Sequence, residues 1–468
     1  MSTIIPKKYV PVKEKIGYSL GDVASVLYWQ TISLYLLYFY TDVFGITAAA
    51  AGTMILVARI WDGINDPLMG MLADRTKTKW GRFRPYLIWM SIPLAVIGVF
   101  TFSVPDYDYG GKLIYAYITY ILLMTLYTAI NIPYSSLLGV ISPDRAERTS
   151  VSQFKYIGAY VGGLIISAAL LPMTIYLGSG DEAQGWQTSM IIIGVMAIGL
   201  FFLTFASTNE RVQPIQREPT SIKRDLKDLL ANREWFVLLL ATLFLYLVTS
   251  TGMVISTYYF KYYVGDQLIN FPGIEGSFGF AELTSLFNSL AMIFSIIGVL
   301  CVKWFVDRYG KKKTFVLSLS VGAGTMLPYY FLTPESLWLI MVLKIISSFA
   351  LGPISVILWA MYADTADFSE WKTGRRATGL VFSASTMSQK IAWSLGTALS
   401  GWLLTSIGFE PNVEQSEQVI AGIKALMSTI PATAGLISII MILFYKLDRK
   451  KMNNIEQELQ VRRGAIDE

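Results

Sequence analysis

Long apolar stretches recur along this chain and decide most of what it can become. They cover residues 17–41, 48–73, 86–105, 112–141, 154–176, 189–208, 235–259, 282–305, 313–333, 337–364, 378–407 and 422–446. A helix needs about 20 apolar residues to cross the hydrocarbon of a bilayer. Each of the twelve stretches therefore predicts one span, and several are long enough to tilt or kink. Hydrophobic residues make up 54% of the 468, and charged residues only 15%, against about 25% in soluble domains. A water-soluble enzyme, a nucleic-acid binder and a disordered chain are excluded. The first stretch follows the polar, basic segment 1–15 with no small-residue cleavage site behind a short apolar run. It reads as a retained first helix.

The basic residues set the orientation. They gather in alternate loops: Lys7 to Lys15, Arg75 to Arg84, Arg145 to Lys155, Arg211 to Arg233, Lys303 to Lys313, Lys372 to Arg376, and the tail from Lys446. This positive-inside pattern places both termini in the cytoplasm. The net charge of +5 is thus an orientation signal that requires no nucleic acid. The expected organisation is a six-helix bundle over 1–207, a cytoplasmic middle loop over 208–234, a second six-helix bundle over 235–446 and a cytoplasmic tail over 447–468. An internal echo supports two halves. Asp74-Arg75 follows span two, and Asp307-Arg308 follows span eight, 233 residues later in a chain of 468. Repeated halves are a mark of secondary transporters. In these loops the two carboxylates are expected to cap helices or pair with basic neighbours, a structural and gating role.

Several chemistries are missing from the sequence. It has one cysteine, Cys301, and no histidine, so a disulfide and a zinc cluster are excluded. Any proton work falls to other groups than the usual near-neutral one. No P-loop and no GxSxG elbow occurs. The expectation is a carrier, not an enzyme, with no cofactor.

Charge at bilayer depth is costly and calls for a reason. Span two reads Arg59-Ile-Trp61-Asp62-Gly-Ile-Asn65-Asp66-Pro67. Offsets of three and four share a helix face, so Arg59, Asp62 and Asp66 form one stripe with Asn65 beside it. Its net charge of −1 can be neutralised by one monovalent cation or one proton, and two carboxylates plus an amide supply hard oxygen ligands. The plainer reading is an Arg59–Asp62 pair that only joins helices. It leaves Asp66 beside a proline. In span one, Asp22, Ser25 and Trp29 share a face; the acid suits sugar hydroxyls and the ring a sugar's C–H face. The alternative is that Asp22 pairs with a loop arginine. In span four, Tyr127 and Asn131 share a face just before Pro133, where a bend is expected. In span eleven, Gln389, Lys390 and Trp393 lie near mid-membrane, and Lys390 is expected to face a cavity or a carboxylate. Asp364 and Asp367 end span ten opposite Arg375 and Arg376; a solvated cluster and a cytoplasmic latch use the same residues.

At these residues the sequence resembles a known family. Ala58-Arg59-Ile-Trp61-Asp62-Gly-Ile-Asn65-Asp66-Pro67, followed by Trp80-Gly81-Arg82-Phe83-Arg84-Pro85, is similar to the glycoside–pentoside–hexuronide:cation symporters. That is the melibiose-permease-like group of the major facilitator superfamily. Ala363-Asp364-Thr-Ala-Asp367-Phe-Ser-Glu370-Trp371-Lys372 with Arg376 resembles its second diagnostic segment. Lys15-Ile-Gly-Tyr-Ser-Leu-Gly21-Asp22 looks closest to the glucuronide and xyloside branches. The resemblance implies that Asp62 and Asp66 bind the coupling cation, with Thr128 and Asn131 near it and the sugar, and that Lys390 belongs to the site. It implies a cytoplasmic ion-pair gate of Asp364, Asp367 and Arg376 with Arg145 and Arg148. The family pattern is departed from at four places. Asn131 stands where melibiose permease has an acid, Ser135 where it has a tryptophan, Val26 where it has its span-one acid, and Tyr156, beside Lys155, where it has an arginine. The cation acids are kept while the sugar pocket is remodelled.

The expected activity is symport of a sugar or glycoside of oligosaccharide, pentoside or hexuronide type with Na⁺ or H⁺, into the cell by alternating access. The cation set is Asp62, Asn65, Asp66, Thr128 and Asn131. The sugar set is Asp22, Trp29, Tyr127, Asn131, Gln389, Lys390 and Trp393. The gate adds Asp74 and Asp307. No metal beyond a possible Na⁺ is expected, and the partners are a small sugar, a monovalent cation and lipids of the inner plasma membrane, with the monomer as the working unit. A lipid or amphipath carrier of the same fold is the alternative.

Overall fold

The computed structural model describes residues 9–212, 232–271, 274–374 and 378–464. Most of the expected middle loop lies outside the described residues, as do Arg376 and the side chain of Arg145. The described chain is almost wholly helical. The helices are α1 (Val12–Tyr38), α2 (Ala48–Arg75), α3 (Arg84–Trp89), α4 (Ser91–Thr101), α5 (Tyr109–Val140), α6 (Arg145–Gly178) and α7 (Glu182–Ser207). They continue with α8 (Arg233–Tyr259), α9 (Phe280–Tyr309), α10 (Lys311–Gly324), α11 (Leu337–Thr373), α12 (Thr378–Ser406), α13 (Glu417–Met427), α14 (Thr429–Leu443) and α15 (Arg449–Gly464).

Eight segments of the described residues are long and apolar enough to cross a membrane. The other four expected stretches fall on α1, α2, α10 and α12. In α2 the cause is visible, because Arg59, Asp62, Asn65 and Asp66 interrupt its apolar run. Its other face remains apolar and open: Ile60, Ile64, Leu68 and Leu72 recur at four-residue spacing and are all exposed. A helical stripe of this kind needs an apolar medium beside it.

The chain divides into two compact units, the first mainly α1–α7 and the second mainly α8–α15. In the first, α1 is the central helix. Tyr18, Leu27, Tyr28, Leu34, Tyr35, Leu36 and Leu37 are all buried, which takes a helix covered on every side. α6 and α7 cover much of it. In the second unit α8 holds the same place against α12 and α14, and Leu238, Leu245, Phe315, Leu319, Leu358 and Met361 fill the core around it. The tail helix α15 docks on this core through Ile455 and Leu459, and Trp371 donates to Glu458 at 2.7 Å.

The two units repeat each other in detail. α1 ends in a π-helical turn, Phe39–Val43, and α8 in another, Phe260–Val264. Near the start of α1, the Glu14 carboxylate accepts the backbone N–H of Asn209 just beyond α7 at 3.0 Å. Near the start of α8, Glu234 accepts the backbone N–H of Lys446 just beyond α14 at 2.7 Å. In each unit the first helix thus holds the end of the last.

Some local expectations are corrected. The stretch 86–105 is split at Met90 between α3 and α4, and 422–446 at Ser428 between α13 and α14. Pro133, where a bend is expected, lies inside α5, which continues through it to Val140. The fold is not purely helical, because Gln267–Phe271 and Ile274–Phe278 form an antiparallel hairpin between α8 and α9, pairing Gln267 with Phe278.

Candidate functional site

The charged stripe of α2 faces the protein. Arg59 and Asp62 form a salt bridge of 2.9 Å, with side chains 2% and 1% exposed. The Arg59 guanidinium also lies 4.4 Å from the ring centre of Trp29 on α1. A desolvated cation over an indole contributes about 2 kcal/mol, so the arginine is held from two sides. One face of Trp29 is therefore taken up by Arg59, and Trp29 also stacks with Tyr127 at 6.2 Å. One turn below Asp62, Asp66 accepts a hydrogen bond from the Thr128 hydroxyl of α5 at 3.0 Å. The Asn65 side-chain nitrogen is enclosed without a hydrogen-bond partner among the described residues. The Asn131 amide donates to the carbonyl of Tyr127 at 3.0 Å, which closes one helical turn.

Asp22, the second acid of α1, has its partner on α6: Lys155 stands 3.8 Å away. The alternative of a loop arginine is corrected, since the basic group comes from a helix that packs along α1. Tyr127 lies within electrostatic reach of Asp22, Arg59, Asp62 and Asp66 together. The structure thus brings Asp22, Trp29, Asp62, Asp66, Tyr127 and Thr128 into one polar cluster in the first unit.

The expected residues of α12 form a second cluster within the second unit. Tyr246 of α8 donates to the Gln389 side-chain oxygen at 3.0 Å. The Gln389 nitrogen is enclosed with no hydrogen-bond partner among the described residues. Trp393 packs at 5.8 Å from the Tyr246 ring. Lys390 is half-buried and already engaged by a neighbouring group.

The expected gate residues are placed less uniformly. Asp364 is clasped by Lys311 at the start of α10, whose ammonium meets both carboxylate oxygens at 2.7 and 2.8 Å. Asp367 is half-buried and engaged. Arg148 reaches the carbonyl of Gly139 at 3.4 Å. Asp74 and Asp307 are exposed, and neither takes part in an ion pair among the described residues; only the backbone carbonyl of Asp307 is used, by Arg449.

Sequence reasoning missed other ties within the first unit. Glu14 binds Arg211 through two bonds of 2.7 and 2.6 Å, and these hold the Arg211 guanidinium above its ordinary range. Lys15 pairs with Glu147 at 2.9 Å. Glu210 accepts the consecutive backbone N–H groups of Arg82, Phe83 and Arg84. Lys155, Tyr246 and Lys311 were also missed as partners. Of these, Lys155 alone had a signal in the sequence, its place beside the Tyr156 position where the family pattern has a basic residue.

The family model described as MFS/sugar transport protein matches residues 17–449. The chain is 36% identical to the putative glycoside/cation symporter YagG of Escherichia coli, over 98% of this chain and 96% of that one. It is 35% identical to the isoprimeverose transporter of Lactiplantibacillus pentosus, over 98% and 94%. It is 30% identical to the glucuronide carrier protein homolog of Escherichia coli, over 96% and 95%. Among solved structures it resembles a bacterial homolog of the lysosomal transporter Spinster, with a TM-score of 0.65 at 15% identity over 95% of this chain and 97% of that one. It also resembles the nucleoside transporter NupG, with a TM-score of 0.63 at 14% identity over 92% and 99%. These last two share the fold alone. With its helical bundles, buried ionic stripe and end-to-end relatives, the chain belongs to the glycoside–pentoside–hexuronide:cation symporters of the major facilitator superfamily, and is a transporter rather than an enzyme.

Proposed function

We propose that this symporter imports a sugar or glycoside together with one Na⁺ or H⁺ by alternating access. The observation that carries the reading is the α2 stripe. A buried Arg59–Asp62 pair stands one turn from Asp66, which Thr128 orients. Arg59 balances one of the two acids. The stripe's own three charged groups sum to −1, a charge that is costly at bilayer depth and that a bound monovalent cation offsets. Asp62 and Asp66 are assigned the cation, with Asn65, Thr128 and Asn131 as neutral neighbours. Sugar contacts are assigned to Asp22, Trp29, Tyr127 and Asn131 in the first unit and to Gln389, Lys390 and Trp393 in the second.

Coupling follows from charge. A cation that neutralises the stripe favours the sugar-bound, closed state, and bound sugar raises cation affinity by the same factor. Twelve spans with both termini in the cytoplasm of an inner-membrane, monomeric protein complete the reading. In that frame Asp364 and Lys311 sit at the cytoplasmic side, as a pair whose opening accompanies release. Asp367, Arg145, Arg148, Arg376, Asp74 and Asp307 are assigned to the same gating region. The relatives named for glycosides and isoprimeverose favour a sugar over a lipid cargo.

Uptake into proteoliposomes across a panel of pentosides, hexosides and hexuronides tests this, with and without a Na⁺ gradient and at several external pH values. Concentrative uptake of at least one sugar that depends on Na⁺ or on an inward proton gradient is expected. Sugar movement that only equilibrates under every gradient would contradict symport.

A further inference from the structure

Tyr120 of α5 carries a polar group that the fold leaves unused. Its side chain is fully buried, and its hydroxyl has no hydrogen-bond partner among the described residues. Buried polar groups are nearly always satisfied, because an unmade bond leaves the full cost of desolvation standing. An aromatic that only filled space here would serve as well without its oxygen. The hydroxyl therefore calls for a reason of its own.

Its position supplies one. The Trp61 indole of α2 donates to the Thr125 hydroxyl of α5 at 2.9 Å, and Asp66 accepts from the Thr128 hydroxyl at 3.0 Å. These contacts advance together along both helices, so α2 and α5 run side by side in the same direction. Tyr120 precedes the first of them on α5, as Arg59 does on α2, and it lies within electrostatic reach of Arg59 and Asp62. Tyr40, in the π-helical turn that closes α1, is buried and lies within reach of Tyr120 in turn. In the proposed topology that turn is at the outer end, which sets Tyr120 on the outer side of the Arg59–Asp62 pair. Arg59 and Asp62 have further contacts of their own; the group with capacity to spare is the phenol. A phenolic hydroxyl both donates and accepts, and it is uncharged. It can hold a monovalent cation, or water of its hydration shell, without altering the charge of the stripe.

We infer that Tyr120 is a further positioning residue of the coupling-ion site, whose hydroxyl receives the hydrated monovalent cation on the outer side of the Arg59–Asp62 pair and hands it to the two carboxylates. This rests on the cation–sugar symport reading and deepens it.

Thermal unfolding of the full chain in detergent tests the inference, with NaCl titrated against choline chloride at constant ionic strength and the series repeated at several pH values. The wild type should be stabilised by Na⁺, or by protons where the proton is the coupling ion. Tyr120→Phe removes only the hydroxyl. It should raise the half-effect Na⁺ concentration at least tenfold, or move a proton half-effect at least one unit to lower pH. Without the ion it should melt no lower than the wild type, since the group removed was unpartnered. Tyr28→Phe is the control. The Tyr28 hydroxyl is also enclosed without a hydrogen-bond partner among the described residues, but it lies against Gly98 of α4 and Gly194 of α7. That variant should keep the wild-type ion response. An ion response within twofold of the wild type in Tyr120→Phe overturns the inference and leaves symport standing. So does an equal loss in Tyr28→Phe, or a Tyr120→Phe protein that melts several degrees lower without the ion, which marks a purely structural tyrosine. A wild type that responds to neither Na⁺ nor protons overturns the symport reading as well.

Discussion

Asp62 and Asp66 lie one turn apart on α2 but are held in different ways. Asp62 is locked to Arg59 with almost no exposure on either side chain. Removing one member of a buried pair leaves the other charge stranded, at a cost of about 3–5 kcal/mol. Asp66 accepts one hydroxyl hydrogen bond from Thr128, whose loss costs about 1 kcal/mol. Asp62→Asn is therefore expected to lower the thermal midpoint of the purified protein by several degrees, whereas Asp66→Asn and Thr128→Val shift it little. Thermal unfolding in detergent checks the contrast. Added Na⁺, if it is the coupling ion, should stabilise the wild type and fail to stabilise Asp66→Asn. The stripe was legible in the sequence because its members sit three and four residues apart on one helix. Lys155 was marked only by its place beside the family's basic position, and its pairing with Asp22 was not legible, since it crosses from α1 to α6. The Glu14–Arg211 pair joins residues 197 apart, and no local pattern announces such a tie. Trp29 illustrates a third case: its place beside the site was readable, but its contact with the Arg59 guanidinium depends on how α1 and α2 pack.

At the scale of elements, two helices approach closely where glycine removes the side chain. A Cβ at Gly158 of α6 would come within 2.5 Å of the backbone oxygen of Ser19 on α1, and one at Gly352 of α11 within 2.3 Å of that of Ser295 on α9. Gly139 has nothing within 4 Å of such a Cβ. Gly158→Val and Gly352→Val are expected to separate the helices and cost about 1–3 kcal/mol. Gly139→Ala should be neutral or slightly stabilising, because alanine is the better helix former. The yield of monodisperse protein in size-exclusion chromatography, with thermal unfolding, reads the difference. The existence of long helices followed from apolar length, and their breaks did not. Pro133 lies within a continuous α5, while the break at Met90 falls where α3 gives way to α4 without a glycine to mark it. The breaks at Met90 and Ser428 each stand three residues before a proline, Pro93 and Pro431, whose missing N–H frees a carbonyl of the preceding turn. The hairpin after α8 was hidden for a different reason: ten paired residues between two long apolar runs leave too short a signal.

Across the whole molecule, the repeat first visible as Asp74-Arg75 and Asp307-Arg308 is deeper than its motif. The two exposed aspartates are its outward mark. Its structural content is the pair of π turns closing α1 and α8, and the Glu14 and Glu234 carboxylates that hold Asn209 and Lys446. The basic loops are the basis of the proposal that both ends lie in the cytoplasm. Alkaline phosphatase fused after Tyr107, between α4 and α5, should then be active, and the same reporter fused after Lys77 or Arg211 inactive. Activity in the opposite pattern would reverse the proposed topology. The most direct test of the central claim is sugar accumulation driven by an imposed Na⁺ or proton gradient in proteoliposomes of the wild type, Asp62→Asn and Asp66→Asn. The wild type is expected to concentrate sugar above the external level, and both variants to lose that accumulation. Concentration of sugar against its gradient by both variants would contradict the assignment of the coupling cation to these two carboxylates.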